Sequence, residues 1–223
     1  MVSSKEKSNQ SNPIHSWHEY LDSDLTKDQG PKYQKARLDL AHALREKLSN
    51  FSNCWFLDGG TLLGIWRNGR IIKHDYDFDF ALHGTTADLW KLRDYLSSAF
   101  QDDKKIIVKS EEQYATKLLV VDTSYGQFDT TIEWWKVYAD ILLYSLDAED
   151  PSLTRMQYFK DGFIERTYKT EWFFPLKSKK LEEDGSFWPI PNNAEKILSV
   201  SYGYLGEDAC FDPQTKLYRP QAR

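Results

Sequence analysis

The chain has 223 residues, with 29 Lys and Arg against 34 Asp and Glu, a formal charge of −5 at pH 7. Hydrophobic residues make up 40%, enough for a globular core, and no run approaches the roughly 18 apolar residues of a membrane span. An acidic chain without a Lys/Arg block excludes a dedicated nucleic-acid binder, and two cysteines, Cys54 and Cys210, exclude a disulfide scaffold.

Taken in chain order, residues 1–30 are polar and read as disordered or loosely ordered, with residues 31–223 as a single domain. The first residues lack the apolar core of a signal peptide, so the expected address is cytoplasmic, and the sequons at Asn9 and Asn50 read as chance matches. From 31 to 50 the apolar positions Tyr33, Ala36, Leu40, Ala41, Leu44 and Leu48 recur at three and four, which predicts a helix opened by Pro31. Cys54–Asp58 reads as a short buried strand ending in Gly59-Gly60, with a short helix over 61–66. The alternation in Asp75–Leu82 predicts a strand, and Thr85–Phe100 an amphipathic helix. Further strands are expected at 105–109, 114–122, 128–134, 138–146 and 163–168, and a closing helix at 193–202 is ended by Gly203. Helices first and strands later predict one α+β domain with a strand-rich C-terminal half.

The most informative segment is His74-Asp75-Tyr76-Asp77-Phe78-Asp79-Phe80. On a strand, Asp75, Asp77 and Asp79 share one face, and Tyr76, Phe78 and Phe80 the other. Adjacent carboxylates repel, and Asp is a poor strand former, so the pattern calls for a cation; a row of hard oxygen ligands suits Mg²⁺, Mn²⁺ or Ca²⁺. An EF-hand is excluded, because its sixth position from Asp75 would be Gly and is Phe80, and its twelfth would be Glu and is Thr86. Upstream, Asp58-Gly59-Gly60-Thr61 places a glycine turn before a helix start, where backbone N–H groups and the helix dipole favour an anion. Neither dinucleotide-fingerprint nor P-loop spacing is present. An anion cradle followed within about twenty residues by a row of carboxylates is the arrangement phosphoryl transfer needs. Asp140, the one charge in the apolar strand Val137–Tyr144, is the best third carboxylate, with Asp129 and Glu133 as rivals.

The segment Leu57–Phe80, with Gly59-Gly60-Thr61-Leu62-Leu63-Gly64, Arg67, Gly69-Arg70-Ile71-Ile72 and then the Asp triplet, resembles the signature of the LicD/fukutin family. Phe174-Pro175-Leu176, Ile190-Pro191-Asn192-Asn193 and Tyr202-Gly203 resemble its later landmarks, so the resemblance spans roughly 33–205. It implies a nucleotidyltransferase-like mixed sheet flanked by helices. It also implies transfer of phosphocholine or a sugar-alcohol phosphate from a CDP-activated donor to a glycan or other hydroxyl acceptor. By the same resemblance, Asp77, Asp79 and Asp140 match the metal-binding carboxylates for Mg²⁺ or Mn²⁺, and Asp75 the first Asp of the triplet. Gly59, Gly60 and Thr61 match the donor-phosphate turn, and Arg67 its basic residue. His74 and Lys73 depart from the Trp and Pro common there, a difference that bears on acceptor choice.

The mechanism these residues predict is an in-line displacement at phosphorus. Arg67 and Lys117 neutralise phosphate oxygens, and Asp75 or Asp140 serves as base. The pairs Trp134-Trp135 and Phe187-Trp188 and the run Trp172-Phe173-Phe174 offer stacking platforms, though core packing is the simpler reading. His15, His18 and His42 have no ligand spacing. Two other functions fit the same residues: NMP transfer from an NTP to a small molecule or protein, and a metal-binding pseudoenzyme.

Overall fold

The computed structural model describes residues 29–72, 75, 77–110, 116–129, 132–159, 163–206, 208–212, 214–215 and 217–221. The expectation for residues 1–28 lies outside them. Helix α1 runs Gln29–Phe51, two residues earlier than Pro31, and buries Leu40, Ala41, Leu44 and Leu48 as the periodicity requires. Strand β1 (Trp55–Leu57), buried throughout, leads into α2 (Gly59–Asn68), which therefore starts at the glycines themselves. Gly69, with φ 65°, closes α2 by donating its N–H to Gly64 and Ile65 carbonyls, as a left-handed cap does.

Next come β2 (Asp79–His83) and α3 (Thr86–Ala99), the latter opened by a Thr85/Asp88 capping box. Strands β3 (Ile106–Ser110) and β4 (Lys117–Asp122) follow, then the hairpin β5 (Gly126–Asp129) and β6 (Ile132–Trp135). Strands β7 (Tyr138–Leu146), β8 (Leu153–Phe159) and β9 (Phe163–Lys169) complete the main sheet. The chain ends with β10 (Lys177–Lys180), β11 (Phe187–Ile190), α4 (Ala194–Tyr202), β12 (Ala209–Asp212) and β13 (Leu217–Pro220).

The seven-stranded sheet has the path β1-β2-β7-β4-β3, with β8 on β7 and β9 on β8. Among the described strands of this sheet only β2 and β7 pair in parallel, and α3 lies in the crossover between them, so the sheet is mixed. The architecture is α+β, a mixed sheet flanked, among the described residues, by four helices, in line with the expected fold class.

Alternation along the strands divides the core. Phe80 and Leu82 of β2 with Ala139, Ile141 and Leu143 of β7 pack against α1 and α3 residues such as Leu44 and Leu92. Ala81 and Tyr144 point to the opposite face and pack with Phe56, Tyr168, Phe173 and Ile197 of α4. Asp79 and Asp140 belong to this second face by the same period of two.

The acidic strand is shorter than its alternation predicts. It begins only at Asp79, and Asp75 and Asp77 precede it outside any strand. The reason is the lack of partners: β1 offers three residues, ending in the pair Leu57↔Phe80, and β7 meets β2 first at Asp79↔Asp140. Phe78 and Phe80 fill the core as expected, while Tyr76 lies outside the described residues. The single strand expected at 128–134 is the hairpin β5–β6, and β8 and β10–β13 were not anticipated. Among the described residues no helix is long and apolar enough to cross a membrane.

Candidate metal and donor site

The site forms where α2 begins and β2 and β7 lie side by side. Asp79 opens β2 directly opposite Asp140 of β7, and the Asp140 N–H donates to the Phe78 carbonyl at 3.1 Å. Asp79 is held from three sides. Its N–H donates to Thr61 Oγ1 at 2.9 Å, its Oδ2 accepts from the Gly60 N–H at 2.9 Å, and its carbonyl accepts from the Asp58 N–H at 3.1 Å.

The two glycines leave the space that two carboxylates occupy. Gly59 has φ 56°, and a Cβ on it would overlap Asp79 Oδ2; a Cβ on Gly60 would sit 2.6 Å from Asp75 Oδ2. The turn read from sequence as a phosphate cradle thus has one N–H already turned on Asp79, and Thr61 fastens the Asp79 backbone. The turn joins both halves of the motif by positioning the carboxylates.

Ligand oxygens of Asp75, Asp77 and Asp79 lie within 4.8 Å of one another. Burial first, and the neighbouring carboxylates second, push the Asp77 and Asp79 carboxyls well above the ordinary carboxylate range, with Asp140 among the charges that raise both. Asp140 stands beside this trio. Its Oδ2 takes the Lys117 ammonium at 3.0 Å, and its Oδ1 is buried with no hydrogen-bond partner among the described residues. Converging acidic oxygens that raise one another's pKa, with a buried carboxylate oxygen left open beside them, fit a hard divalent cation.

Lys117, expected to meet donor phosphate, lies at the acidic site through its ion pair with Asp140. Arg67 does not make an equivalent contact: its Nε donates to the Leu205 carbonyl at 2.7 Å, tying the last turn of α2 to the C-terminal segment. Phe173 and Trp188 are fully buried, and Trp188 packs at a tilt on Phe78 with 5.2 Å between ring centroids, so both are core. The side chains of Trp134, Trp135, Asp129 and Glu133 lie outside the described residues.

Sequence reasoning missed three features. Arg37 of α1, 4% exposed, donates from Nη1 to the Asp75 carbonyl at 3.1 Å and from Nε to the Lys136 carbonyl at 3.0 Å. The signal was present, since Arg37 lies four residues after Tyr33 and four before Ala41, inside the apolar stripe. Asp58, buried at the N-cap of α2, accepts a hydrogen bond from the Tyr144 hydroxyl at 2.8 Å, and the Tyr168 hydroxyl nearby meets Ser201 Oγ at 3.1 Å. A carboxylate directly after the wholly apolar strand Trp55–Leu57 was its signature. Third, the Tyr202 and Tyr218 rings meet at a tilt, 6.2 Å between centroids, near these charges. Burial, then Asp79, Asp58 and Asp75, push the Tyr202 hydroxyl well above its usual value.

Burial raises the Asp58 carboxyl, and the Tyr144 hydroxyl opposes that rise by favouring the charged form. Tyr144→Phe removes this donor and leaves a buried acceptor unsatisfied, at a cost of about 1–3 kcal/mol. In a chain of this size each kcal/mol lowers the melting temperature by about 2–4 °C. The loss is expected to be largest at neutral pH and to shrink toward acid as Asp58, its carboxyl raised by burial, takes up its proton; melting curves across an acid-to-neutral pH series check it.

Residues 52–193 match the family model described as LicD/FKTN/FKRP, nucleotidyltransferase domain. The matched stretch holds the Gly-Gly turn, the Asp trio, Lys117 and Asp140; α1 lies wholly before it, and α4, β12 and β13 after it. No curated protein matches the chain. Among solved structures it is similar to one described as "Structure of E. coli MS115-1 CdnC:HORMA-deltaN complex", at 15% identity and a TM-score of 0.30. That similarity covers 65% of this chain and 42% of the other, so the chain spans less than half the length of the protein it matches there.

Proposed function

This chain belongs to the LicD/FKTN/FKRP nucleotidyltransferase-domain family, and on that premise we propose that it is a metal-dependent phosphotransferase. It moves phosphocholine or a sugar-alcohol phosphate from a CDP-activated donor to a hydroxyl of a glycan or small-molecule acceptor, and residues 31–223 act as one catalytic domain. The observation that carries this reading is the gathering of Asp75, Asp77 and Asp79 within 4.8 Å beside the N-terminus of α2.

Asp77 and Asp79 would hold Mg²⁺ or Mn²⁺, with Asp75 and the open Oδ1 of Asp140 as the further oxygens at hand. The ion, when bound, neutralises charge on the donor pyrophosphate. The chain's own residues do the rest. Gly59, Gly60 and Thr61 shape the turn that faces the phosphates, with the α2 dipole behind it. Lys117, already at Asp140, adds a positive charge on the same face. Asp75 or Asp140 takes the proton of the acceptor hydroxyl as its oxygen bonds to phosphorus; the phosphorus–oxygen bond to CMP breaks in line, and CMP leaves with the electron pair. Arg67, occupied by the Leu205 carbonyl, shapes the back of α2 in this scheme.

A second reading has one specific support, the nucleotidyltransferase description of the matched domain. In it an NTP is the donor, an NMP is transferred, and pyrophosphate leaves. Incubation with CDP-choline, CDP-ribitol and CDP-glycerol, and separately with the four NTPs, in Mn²⁺ or Mg²⁺ separates the two. CMP release with a CDP-alcohol supports the first reading, and pyrophosphate release the second. Neither release, together with no shift in melting temperature for any donor, would overturn both. A donor present at 100 times its Kd is expected to add about 2.7 kcal/mol to stability.

A further inference from the structure

We propose that Arg37 is a positioning residue of this site: from α1, it clamps the backbone at Asp75 in the shape that lets the acidic cluster accept a divalent cation. The inference rests on the metal-binding reading above and names a part of the site that lies outside residues 52–193, the family-matched stretch.

Three observations support it. Asp75 and Asp77 lie before β2 and outside any strand, so no sheet pairing fixes the backbone that carries two of the three clustered carboxylates. The Asp75 N–H reaches the Ile72 carbonyl at 3.0 Å, a local turn contact, whereas the Arg37 Nη1 bond to the Asp75 carbonyl at 3.1 Å ties the segment to a distant element. The same guanidinium donates from Nε to the Lys136 carbonyl at 3.0 Å, just before β7. One planar group therefore joins α1, the acidic segment and the entrance to the strand bearing Asp140. A long flexible cation could not hold two carbonyls at a fixed separation so well; the rigid fork of Arg is suited to it.

Burial adds weight. Arg37 is 4% exposed, and a guanidinium is taken out of water at high cost unless it is hydrogen-bonded and faces negative charge. The charges that face it are Asp77 and Asp75, with the Tyr138 and Tyr33 hydroxyls beside them, and the Lys136 ammonium lies over the Tyr33 ring at 5.6 Å. Arg37 thus combines a counter-charge with a two-point backbone clamp.

These two roles predict opposite effects on metal binding. A fixed cation beside carboxylates repels an incoming Mn²⁺, so a residue that served only as counter-charge would, on removal, leave tighter binding. A clamp, on removal, leaves weaker binding. The experiment is titration of the full chain with Mn²⁺, followed by calorimetry and by loss of the free-ion EPR signal, in wild type, Arg37→Met and Arg37→Lys. The melting temperature of each metal-free protein is recorded alongside. Arg37→Met is expected to raise Kd by about tenfold or more, the equivalent of one hydrogen bond from a charged group. Arg37→Lys keeps the charge and can reach one carbonyl, so it should recover part of that loss. Unchanged or tighter Mn²⁺ binding in the folded Arg37→Met protein overturns the proposal. Should the Met variant fail to fold, Arg37→Lys decides, and a wild-type Kd in it overturns the proposal equally. Absence of Mn²⁺ binding by wild type overturns the metal reading itself, a result distinct from unchanged variants.

Discussion

Asp77→Asn is expected to abolish transfer and, in the same protein, to raise the melting temperature without metal. The first effect follows from its place in the trio: losing one anionic ligand forfeits several kcal/mol of charge stabilisation around the donor, so turnover should fall by at least about 10³-fold. The second follows from electrostatics. Burial and the Asp79, Asp75 and Asp140 charges hold the Asp77 carboxyl well above the ordinary range. A carboxyl raised in the folded state binds its proton more tightly there than in the unfolded chain. Its stabilising contribution is then full below the unfolded value of about 3.9 and is lost as pH rises through the folded value. At neutral pH the metal-free protein therefore carries a destabilising repulsion that a neutral amide removes. A gain of about 1 kcal/mol would appear as about 2–4 °C. The gain should fade as pH is lowered, because wild-type Asp77 is then protonated too. It should reverse in saturating Mn²⁺, where only wild type has the full ligand set. Melting curves at pH 5 and pH 7.5, with and without Mn²⁺, test all three. A variant no more stable than wild type at pH 7.5 without metal would show that the trio is not under the strain the geometry implies.

The same residues show why part of the site was legible and part was not. Gly59-Gly60 and the Asp triplet lie within about twenty residues, and their chemistry is local, so the motif could be read directly. Asp140 stood out as a lone charge in an apolar strand, and the structure sets it opposite Asp79. Alternation alone overstated β2, because a strand extends only as far as its partners and β1 supplies three residues. Strand β10, Lys177-Ser178-Lys179-Lys180, is exposed at every position and carries no alternation; its structure comes from pairing with Phe187–Ile190, which no local pattern announces. Arg37 and Tyr144 were harder to read as site residues for a related reason. Each acts through a partner distant in sequence, Asp75 for one and Asp58 for the other. A charged residue inside an apolar stripe and a carboxylate at the end of an apolar strand are the two marks that would have exposed both.

Gly59→Ala is the companion test, since it removes no functional group of the site yet should disable it. At φ 56° an L side chain costs about 1–2 kcal/mol in the backbone alone. Its Cβ would also occupy the position of Asp79 Oδ2, so the carboxylate must swing away from the Gly60 N–H that fixes it. Asp79 begins β2, and its backbone is bound to both Thr61 and Asp58, so the strand cannot easily retreat. The side chain has to move instead. The expected result is a melting temperature lower by about 2–8 °C, from about 1–2 kcal/mol at 2–4 °C each. Turnover should fall by at least about 10²-fold, because a carboxylate ligand displaced by about an ångström loses that much. Gly60→Ala separates backbone from side-chain effects. Its φ is ordinary, so only the close approach of Asp75 Oδ2, at 2.6 Å, is disturbed. If the glycines serve chiefly to admit the carboxylates, both variants weaken Mn²⁺ binding in the absence of any donor. If they serve only as a donor-phosphate cradle, Mn²⁺ binding stays at the wild-type value and donor affinity alone declines, so measuring metal affinity without donor decides between the two.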